Sequence, residues 1–358
     1  MRYMPFIITA AIFSASPAVS QSEYTPDVVT PGSWQEGHWR DEDLGRAIFE
    51  GYADRSFIWL RGESNKVVKF NRADGSRTVV AENAVDLLHD GAHLWVVTDT
   101  PGHEPHIRDL RSEQAQPIRL VTHERSYQSL FATGQKRPGV LTSLAAYTPN
   151  EDGWKRRELP ASVITQTVAP DGQTHLYFGL NRGEFGGGLR RIDLETGTIS
   201  IVYRPNEGSG ERLPSPSDRP VVGLFTSPDQ PGCVHVGIGL AHLTTSIGHV
   251  YQVCGDNIST VFDTPKPLLR DRWMMVPVPW PLDNLIPLND GWIATSRGRY
   301  FRSRNGLIEE HEYAPFRNWS GLRLSDEQQG VLFVVSSCCW GGGDHLTLYR
   351  AMPIPVMD

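Results

Sequence analysis

Five side chains in the sequence are of the types that proton abstraction requires. His103, His242 and His345 carry imidazoles, Arg182 carries a guanidinium and Glu184 carries a carboxylate. A histidine with an arginine and a carboxylate beside it can remove a proton next to the carboxylate of an acidic sugar, as β-elimination requires. A single loop histidine is more often solvated, so these residues are catalytic candidates only if the fold brings them together. The same groups can bind a divalent ion such as Ca²⁺, but we expect neither a dedicated metal site nor a cofactor.

A second group of candidates is suited to binding rather than to reaction. Trp340 and Asp344 lie in SSCCWGGGDH, residues 336–345, where two adjacent cysteines precede the tryptophan. A disulfide between Cys338 and Cys339 would strain the peptide between them and hold Trp340 on a rigid apolar platform. Such a platform suits the apolar face of a sugar or a protein side chain. The alternatives are that both cysteines stay reduced, or that one pairs with a cysteine elsewhere.

The remaining aromatic candidates are Trp273 and Trp280, in the proline-rich segment PKPLLRDRWMMVPVPWPLDN, residues 265–284. The apolar side chains of this segment need cover. Either the segment folds over its neighbours and buries its tryptophans, or it presents an aromatic lip to a polymer or a partner protein.

The other two cysteines predict a structural disulfide. Cys233 begins one predicted strand and Cys254 ends the next, so the two positions fall opposite each other across a hairpin. Four cysteines in two widely separated pairs lack the ligand spacing of a zinc site.

Short runs rich in β-branched and aromatic residues recur along the chain, with almost no helical periodicity. They are FIWL from residue 57, HLWVVT from 93, GVLTSL from 139, HLYFGL from 175, VHVGIGL from 234, WIATS from 292 and VLFVVSS from 331. Asp-Gly pairs at 90–91, 171–172 and 290–291 each separate two such runs, as a tight hairpin requires. Short strands with a repeat of about 40 residues predict an all-β fold, a single β-propeller with four strands per blade.

We assign seven four-stranded blades to this pattern. They cover residues 46–84, 85–121, 126–160, 163–204, 220–264, 281–315 and 319–353. The seventh lacks an outer strand, and we expect the segment Tyr24–Trp34 to supply it and close the ring, which removes an open sheet edge. Six or eight blades, or a pair of β-sandwiches, are the alternatives, because the first and third blades are poorly marked.

The glycine-rich loops, the polar loops and the long insertions are all predicted to lie on one face of the propeller. Loops between the second and third strands, and connectors between blades, leave from the same face, here called the upper face. The segments predicted there are PGHEP (101–105), RGEFGGG (182–188), AHLTTSIG (241–248), CCWGGGD (338–344) and the insertions 205–220 and 264–281. Because loops carry function more often than strands, we expect this to be the working face. The alternative is that insertions accumulated on a tolerant surface.

The blade patterning resembles that of known propeller groups. APDGQTHLYFG (169–179) followed by GGLRRIDLETG (187–197) resembles the repeats of NHL-type and quinoprotein-type propellers, and DLLHDGAHLWVVT (86–98) is similar to those of two-component-regulator-type propellers. NRGEFGGGLRRIDLETG, with CVHVGIGLAH and VYQVCGD after it, resembles a group of uncharacterised secreted bacterial propellers. The resemblance covers most of the chain and implies the fold without an activity. The tryptophan-docking motifs of quinoproteins are missing, so a PQQ site is not implied.

The first 20 residues are typical of a secretory signal peptide. Arg2 precedes a short apolar run, and a small-x-small site precedes Gln21. We therefore predict a single propeller domain over residues 21–358 that is secreted or periplasmic, monomeric and without a membrane span. Loss of residues 1–20 leaves 33 basic and 41 acidic side chains, a formal net charge of −8. This balance disfavours a nucleic acid partner.

Two functions fit these features. The first is a binding module whose upper face takes a carbohydrate or an extracellular protein, which the absence of a compact catalytic motif favours. The second is an extracellular polysaccharide lyase with a His, Arg and acid site at the channel mouth. A lactonase ranks third, because its metal ligands would have to be Glu104, Glu184 and Asp344.

Overall fold

Six sets of four consecutive antiparallel strands follow one another along the chain in the computed structural model. The structure describes residues 43–45 and 48–312, with gaps at 46–47, 55, 72, 101–102, 113–117, 120–126, 152, 166, 203–215, 243–244, 267, 272–273, 278, 289 and 297–298. Near the two ends it describes only the backbone of short strands. All of these elements belong to one compact unit, Gly32–Asp358, and the predicted signal peptide lies outside the described residues.

The first three blades follow the short strand β1 (His38–Trp39). Blade one contains β2 (Ile48–Ala53), β3 (Phe57–Gly62), β4 (Val67–Asn71) and β5 (Arg77–Ala81). Blade two contains β6 (Ala84–His89), β7 (Leu94–Thr98), β8 (His106–Asp109) and β9 (Ile118–Arg119). Blade three contains β10 (Tyr127–Phe131), β11 (Gly139–Thr142), β12 (Ala145–Asn150) and β13 (Gly153–Glu158).

The next three blades have the same strand order. Blade four contains β14 (Thr167–Pro170), β15 (His175–Asn181), a 3₁₀ helix (Gly183–Phe185), β16 (Gly187–Asp193) and β17 (Ile199–Ile201). Blade five contains β18 (Val221–Thr226), β19 (Cys233–His242), β20 (Thr245–Cys254) and β21 (Asn257–Asp263). A two-stranded ribbon of β22 (Leu268–Asp271) and β23 (Met274–Pro277) leads to blade six, which contains β24 (Asn284–Leu288), β25 (Gly291–Ser296), β26 (Arg299–Arg304) and β27 (Leu307–Glu312).

The prediction of seven such blades is wrong, because the described chain builds six from four consecutive strands. The remaining strands are β28 (Gly321–Leu322), β29 (Ser325–Asp326), β30 (Gly330–Val331), β31 (Phe333–Ser336) and β32 (Leu346–Tyr349). They do not continue the repeat. β29 and β30 form a separate ribbon, and a four-stranded sheet of short strands, with the order β1-β32-β31-β28, combines both ends of the chain. In that sheet β1 pairs with β32, whereas the segment predicted to close the ring, Tyr24–Trp34, lies outside the described residues.

The first strand of each blade is its innermost. β2, β6, β10, β14, β18 and β24 contact one another in that order. A separate hydrophobic cluster fills each interface between neighbouring blades. Tyr52, Trp59 and Val96, for example, pack between blades one and two, and Tyr177 and Val236 between blades four and five. Burial of these alternating apolar faces stabilises the ring, since large side chains removed from water each contribute about 1.5–3 kcal/mol.

Aspartates close the turns between first and second strands, as the Asp-Gly pattern predicted. The Asp90 carboxylate accepts hydrogen bonds from the backbone amides of Ala92 and His93 and from the Trp95 indole. Gly91 follows with φ 93°, a conformation that L side chains rarely adopt. The residue pair therefore sets the hairpin by two separate means, an Asx turn and a left-handed backbone.

Four of the six predicted upper-face segments have the expected topology. The prediction of a loop over residues 241–248 is wrong, because β19 extends to His242 and β20 begins at Thr245, and residues 338–344 lie outside the described residues. Residues 101–105 join β7 to β8, residues 182–186 join β15 to β16, and the two insertions precede β18 and β24. The connector into β24 crosses β19 so closely that a side chain at Gly239 would collide with the Leu282 carbonyl. The upper ends of the strands are therefore packed against the chain's own connectors.

Candidate functional site

A β-bulge recurs near the upper end of four innermost strands. The pairing with the second strand skips one residue before Glu50, Asp86, Ser129 and Gly223. Each bulge adds a residue and re-aims the side chain that follows it. In the first three blades this equivalent position carries an acid, an acid and a hydroxyl, and these polar groups lie close together near the upper ends of the innermost strands.

Asp86 is buried beneath the other polar groups of this cluster, and its carboxylate is held by hydrogen bonds from the protein. Its Oδ2 accepts hydrogen bonds from the Tyr127 hydroxyl at 2.5 Å, the Leu130 amide at 2.5 Å and the Ser129 hydroxyl at 3.2 Å. Its Oδ1 accepts the Leu87 amide at 2.9 Å. These donors come from blade two and blade three, so Asp86 joins the two blades and its acceptor sites are used within the protein.

Glu50 lies between Asp86 and an arginine of its own blade. Its Oε2 accepts a hydrogen bond from Arg61 Nε at 2.7 Å, and the Arg61 side chain is 10% exposed whereas that of Glu50 is 30% exposed. Desolvation by the surrounding protein and the Asp86 charge raise the pKa of Glu50 to about 8, against the opposing effect of Arg61. Glu50 therefore holds a proton at neutral pH, and its carboxyl group can both donate and accept hydrogen bonds.

Phe49 adds an exposed aromatic ring to the cluster. It occupies the bulge position directly before Glu50 and is 52% exposed, although it belongs to an innermost strand. The Arg61 guanidinium lies 5.2 Å from the centre of the ring, a cation–π distance. Arg61 therefore contacts both Phe49 and Glu50 and fixes them relative to each other.

Tyr127 is held in its neutral form by the same surroundings. Burial and the Asp86 charge raise the pKa of the Tyr127 hydroxyl well above its usual value. This group is therefore a hydrogen-bond donor to Asp86 and is unsuited to act as a base.

The structure describes the side chains of three of the five catalytic candidates. Arg182 and Glu184 lie on an exposed loop of blade four, whereas the exposed His103 belongs to the loop of blade two. A single site that combines them with the other two histidines remains a prediction. His242 ends β19, where only the backbone is described. His345 lies outside the described residues.

The ligand-binding candidates are described only in part. Trp280 is half-buried against the core between blades five and six, and the Arg299 guanidinium lies 4.3 Å above its ring. Its place agrees with an insertion that folds over its neighbours. The other predicted residues of this kind lie outside the described residues: Trp273, Cys338, Cys339, Trp340 and Asp344.

The last three glycines of RGEFGGG, Gly186, Gly187 and Gly188, lie close to the backbone of the next blade's connector. A side chain at Gly188 would collide with the Ser217 carbonyl, and the Arg190 guanidinium donates to that same carbonyl at 2.9 Å. The Leu189 amide donates to the Pro216 carbonyl at 2.7 Å. These glycines therefore admit the connector of the next blade rather than a ligand.

The disulfide between Cys233 and Cys254 is present, as predicted. The two residues are directly paired between β19 and β20, with a Cα–Cα distance of 4.2 Å. It staples the lower end of a long hairpin and is remote in the strand order from the cluster around Glu50. Its part is structural.

Two histidines of the strands, His89 and His235, stack on aromatic side chains. His89 stacks on Tyr52 at 3.9 Å, and its burial lowers its pKa to about 4. His235 stacks on Phe225 at 5.0 Å, and burial lowers its pKa as well. Both therefore stay neutral and pack as aromatic rings.

The cluster of Phe49, Glu50, Arg61, Asp86 and Tyr127 was not among the residues predicted from the sequence. A signal was present. Glu50, Asp86, Ser129 and Gly223 each lie four residues before a polar turn residue: Asp54, Asp90, Thr133 and Ser227. Aligning the blades on their turns, rather than on their apolar runs, would have placed these residues in one ring.

Neither a metal cluster nor a membrane helix is found in the described part of the chain. Within it, no three His, Cys, Asp or Glu side chains converge as metal ligands. No helix there has the length and hydropathy to cross a membrane. The expectation about Ca²⁺ remains a prediction.

Comparison with known proteins identifies the fold and not the function. No family model matches the chain, and no curated protein matches it. Solved β-propeller structures do. The extracellular domain of BT4673 from B. thetaiotaomicron, assigned to the one-component systems, superposes with a TM-score of 0.52 at 15% identity over 88% of this chain and 40% of that one. This chain thus spans less than half of that protein's chain.

Two further structures match over nearly their whole length. YCF48, solved with a bound D1 peptide, has a TM-score of 0.55 at 12% identity and covers 93% of this chain and 100% of its own. A chain of the mitotic checkpoint complex has a TM-score of 0.53 at 14% identity and covers 98% of this chain and 99% of its own. At these identities the likeness shows a β-propeller. The NHL and quinoprotein resemblance is not tested by it.

Proposed function

We propose that this protein is an exported binding module whose ligand, a carbohydrate or an extracellular protein, occupies the upper mouth of the central channel. The cluster of Phe49, Glu50 and Arg61 carries this proposal. An aromatic ring and a carboxyl group, both partly exposed, lie side by side on an innermost strand above a buried polar floor. Pockets that combine apolar surface with a few fixed polar groups are typical ligand sites.

The chemistry of the cluster favours binding over catalysis. A reaction with Glu50 as general acid would need a second group as base or nucleophile. The Asp86 carboxylate accepts four hydrogen bonds from the protein, and Tyr127 stays protonated. Among the described neighbours of Glu50, these are the two groups that could have served. The lyase alternative therefore depends on the histidines of the upper loops.

Export is part of the proposal. The N-terminal 20 residues have the pattern of a signal peptide, and the disulfide between Cys233 and Cys254 suits an oxidising compartment. We propose a secreted or periplasmic monomer.

A binding and depolymerisation screen tests the proposed function. The protein is expressed with its own N-terminal segment, purified after export, and titrated by calorimetry against soluble plant, algal and bacterial polysaccharides and against peptide arrays. The same mixtures are followed at 235 nm, where the unsaturated product of a uronate lyase absorbs. Binding without an absorbance rise, weakened by Phe49→Ala, supports the module. An absorbance rise that His103→Ala or His242→Ala abolishes overturns it in favour of the lyase.

A further inference from the structure

Phe49 is an unusual residue for its place in the fold. The side chains of an innermost strand normally pack between blades, as those of Tyr52 and Ala53 do in the same strand. Phe49 is instead half-exposed, and one side of its ring faces the Arg61 guanidinium. Arg61 is itself fixed by Glu50. The ring is therefore a preorganised platform, and an exposed aromatic in such a setting marks a contact site.

The charges around the platform cancel. Burial of Glu50 and the nearby charge of Asp86 raise the pKa of the Glu50 carboxyl to about 8, so Glu50 is protonated at neutral pH. The single remaining negative charge is balanced by Arg61, whose Nε donates to Glu50. The mouth at this point is thus close to neutral at physiological pH, and the exposed group that it offers is an uncharged carboxyl.

We propose that the ligand of the channel mouth is a neutral carbohydrate, with Phe49 stacked on the apolar face of one sugar ring and the Glu50 carboxyl bound to its hydroxyl groups. This inference rests on the proposed function and names the ligand class of that site. The C–H bonds on the face of a sugar ring are attracted to the negative face of an aromatic ring. A hydroxyl group both donates and accepts, and so does a protonated carboxyl.

The same geometry argues against a charged peptide as the ligand. A lysine or arginine side chain would be drawn to Glu50 only if Glu50 were ionised, and Arg61 lies beside it. An acidic side chain would meet the Asp86 carboxylate behind Glu50, while the cation that could attract it is already bound to Glu50. A neutral ligand avoids both penalties, because no charge has to be desolvated.

The exported full chain is titrated by calorimetry at pH 6.5 with cellohexaose, xylohexaose and laminarihexaose, and with lysine-rich and arginine-rich decapeptides. Four variants are compared: Phe49→Ala, Phe49→Tyr, Glu50→Gln and Glu50→Ala. Phe185→Ala is the control, because Phe185 is another exposed aromatic of the upper face, 83% exposed on the blade-four loop. Thermal unfolding of each variant shows whether it is folded.

At least one neutral hexasaccharide is expected to bind. Its affinity should fall about tenfold or more in Phe49→Ala and Glu50→Ala, and change less than about threefold in Phe49→Tyr, Glu50→Gln and Phe185→Ala. The Gln variant is decisive, because its uncharged amide replaces an uncharged carboxyl but cannot replace a carboxylate.

Three results would overturn the inference in different ways. Binding of the cationic peptides that Glu50→Gln and Phe49→Ala both weaken would refute the neutral carbohydrate and leave the proposed binding function standing. Sugar binding that Phe49→Ala leaves unchanged would refute the site. If no sugar and no peptide of either screen binds to the folded protein, the proposed function fails together with the inference.

Discussion

Replacing Glu50 by glutamine should remove a pH dependence from the stability of the fold. The carboxyl titrates at about pH 8 in the folded protein and at 4.5 in its ordinary state. Between these values the folded state binds one more proton than the unfolded state, so the free energy of unfolding falls as pH rises. The slope is at most about 1.4 kcal/mol per pH unit. The stability that the proton provides is complete below pH 4.5 and lost as pH passes 8.

The window from pH 6.5 to pH 8 isolates this effect. His89 titrates near 4 in the folded protein and at 6.5 in its ordinary state, so it acts in the opposite direction and only below pH 6.5. Over the window the wild-type protein should lose at most about 2 kcal/mol, and about 1 kcal/mol once the 30% exposure of the Glu50 side chain is allowed for.

Urea unfolding at a series of pH values across this window, at constant ionic strength, measures the loss. The wild-type midpoint should fall with pH, and that of Glu50→Gln should stay level. Glu195→Gln removes an exposed carboxyl from a blade-four turn and should follow the wild type. Parallel curves for wild type and Glu50→Gln would mean that Glu50 is ionised throughout, and the account of a neutral mouth would be wrong.

Three further changes test the packing that positions the site. Reduction of the Cys233–Cys254 disulfide, or replacement of both cysteines by serine, should lower the free energy of unfolding by about 3 kcal/mol, because the unfolded chain gains the entropy of an open loop with a sequence separation of 21. The loss should appear as a lower Tm, and an unchanged Tm would refute the stabilising role of the disulfide. Gly239→Ala should cost about 2 kcal/mol or more by collision with the Leu282 carbonyl. Gly75→Ala is the control, because Gly75 lies in an open turn with φ 72° and its substitution should cost only about 1 kcal/mol. Equal losses of stability in Gly239→Ala and Gly75→Ala would contradict the collision. Asp86→Asn should lower the free energy of unfolding by about 2 kcal/mol, because it weakens the hydrogen bonds with Tyr127 and Leu130. Loss of the Asp86 charge should also lower the pKa of Glu50, and a Glu50 pKa that stays near 8 in an NMR titration would contradict the effect of Asp86 on Glu50.

The architecture was readable from the sequence because its signals are local. Asp-Gly pairs such as Asp90–Gly91 fix a turn through two residues, and the period-two alternation around them fixes which side chains face the next blade. The disulfide followed from the same local register, since Cys233 and Cys254 are equidistant from one hairpin loop. The blade count was not local. The number of blades depends on how the two ends of the chain share a sheet. An apolar run such as Phe333–Ser336 predicts a strand, but it does not show whether that strand belongs to a set of four consecutive strands.

The candidate site was not readable in the same way. Phe49 and Glu50 lie in an unremarkable segment, RAIFEGYAD, and their importance comes from contacts with Arg61 on the next strand and Asp86 on the next blade. A bulge, which no simple alternation predicts, brings them into place. Conversely, Gly186, Gly187 and Gly188 of RGEFGGG lie against the connector of the next blade, a contact that their composition alone did not indicate.

Hydroxyl-radical footprinting with a bound neutral hexasaccharide tests the central claim most directly. Phe49 and Phe185 are both exposed aromatics, so hydroxyl radicals can reach both rings, and each serves as the reference for the other. The account predicts that saturating sugar slows the oxidation of Phe49 several-fold and leaves that of Phe185 unchanged. Protection of Phe185 with no change at Phe49 would place the ligand on the outer loops and contradict a binding site at the channel mouth.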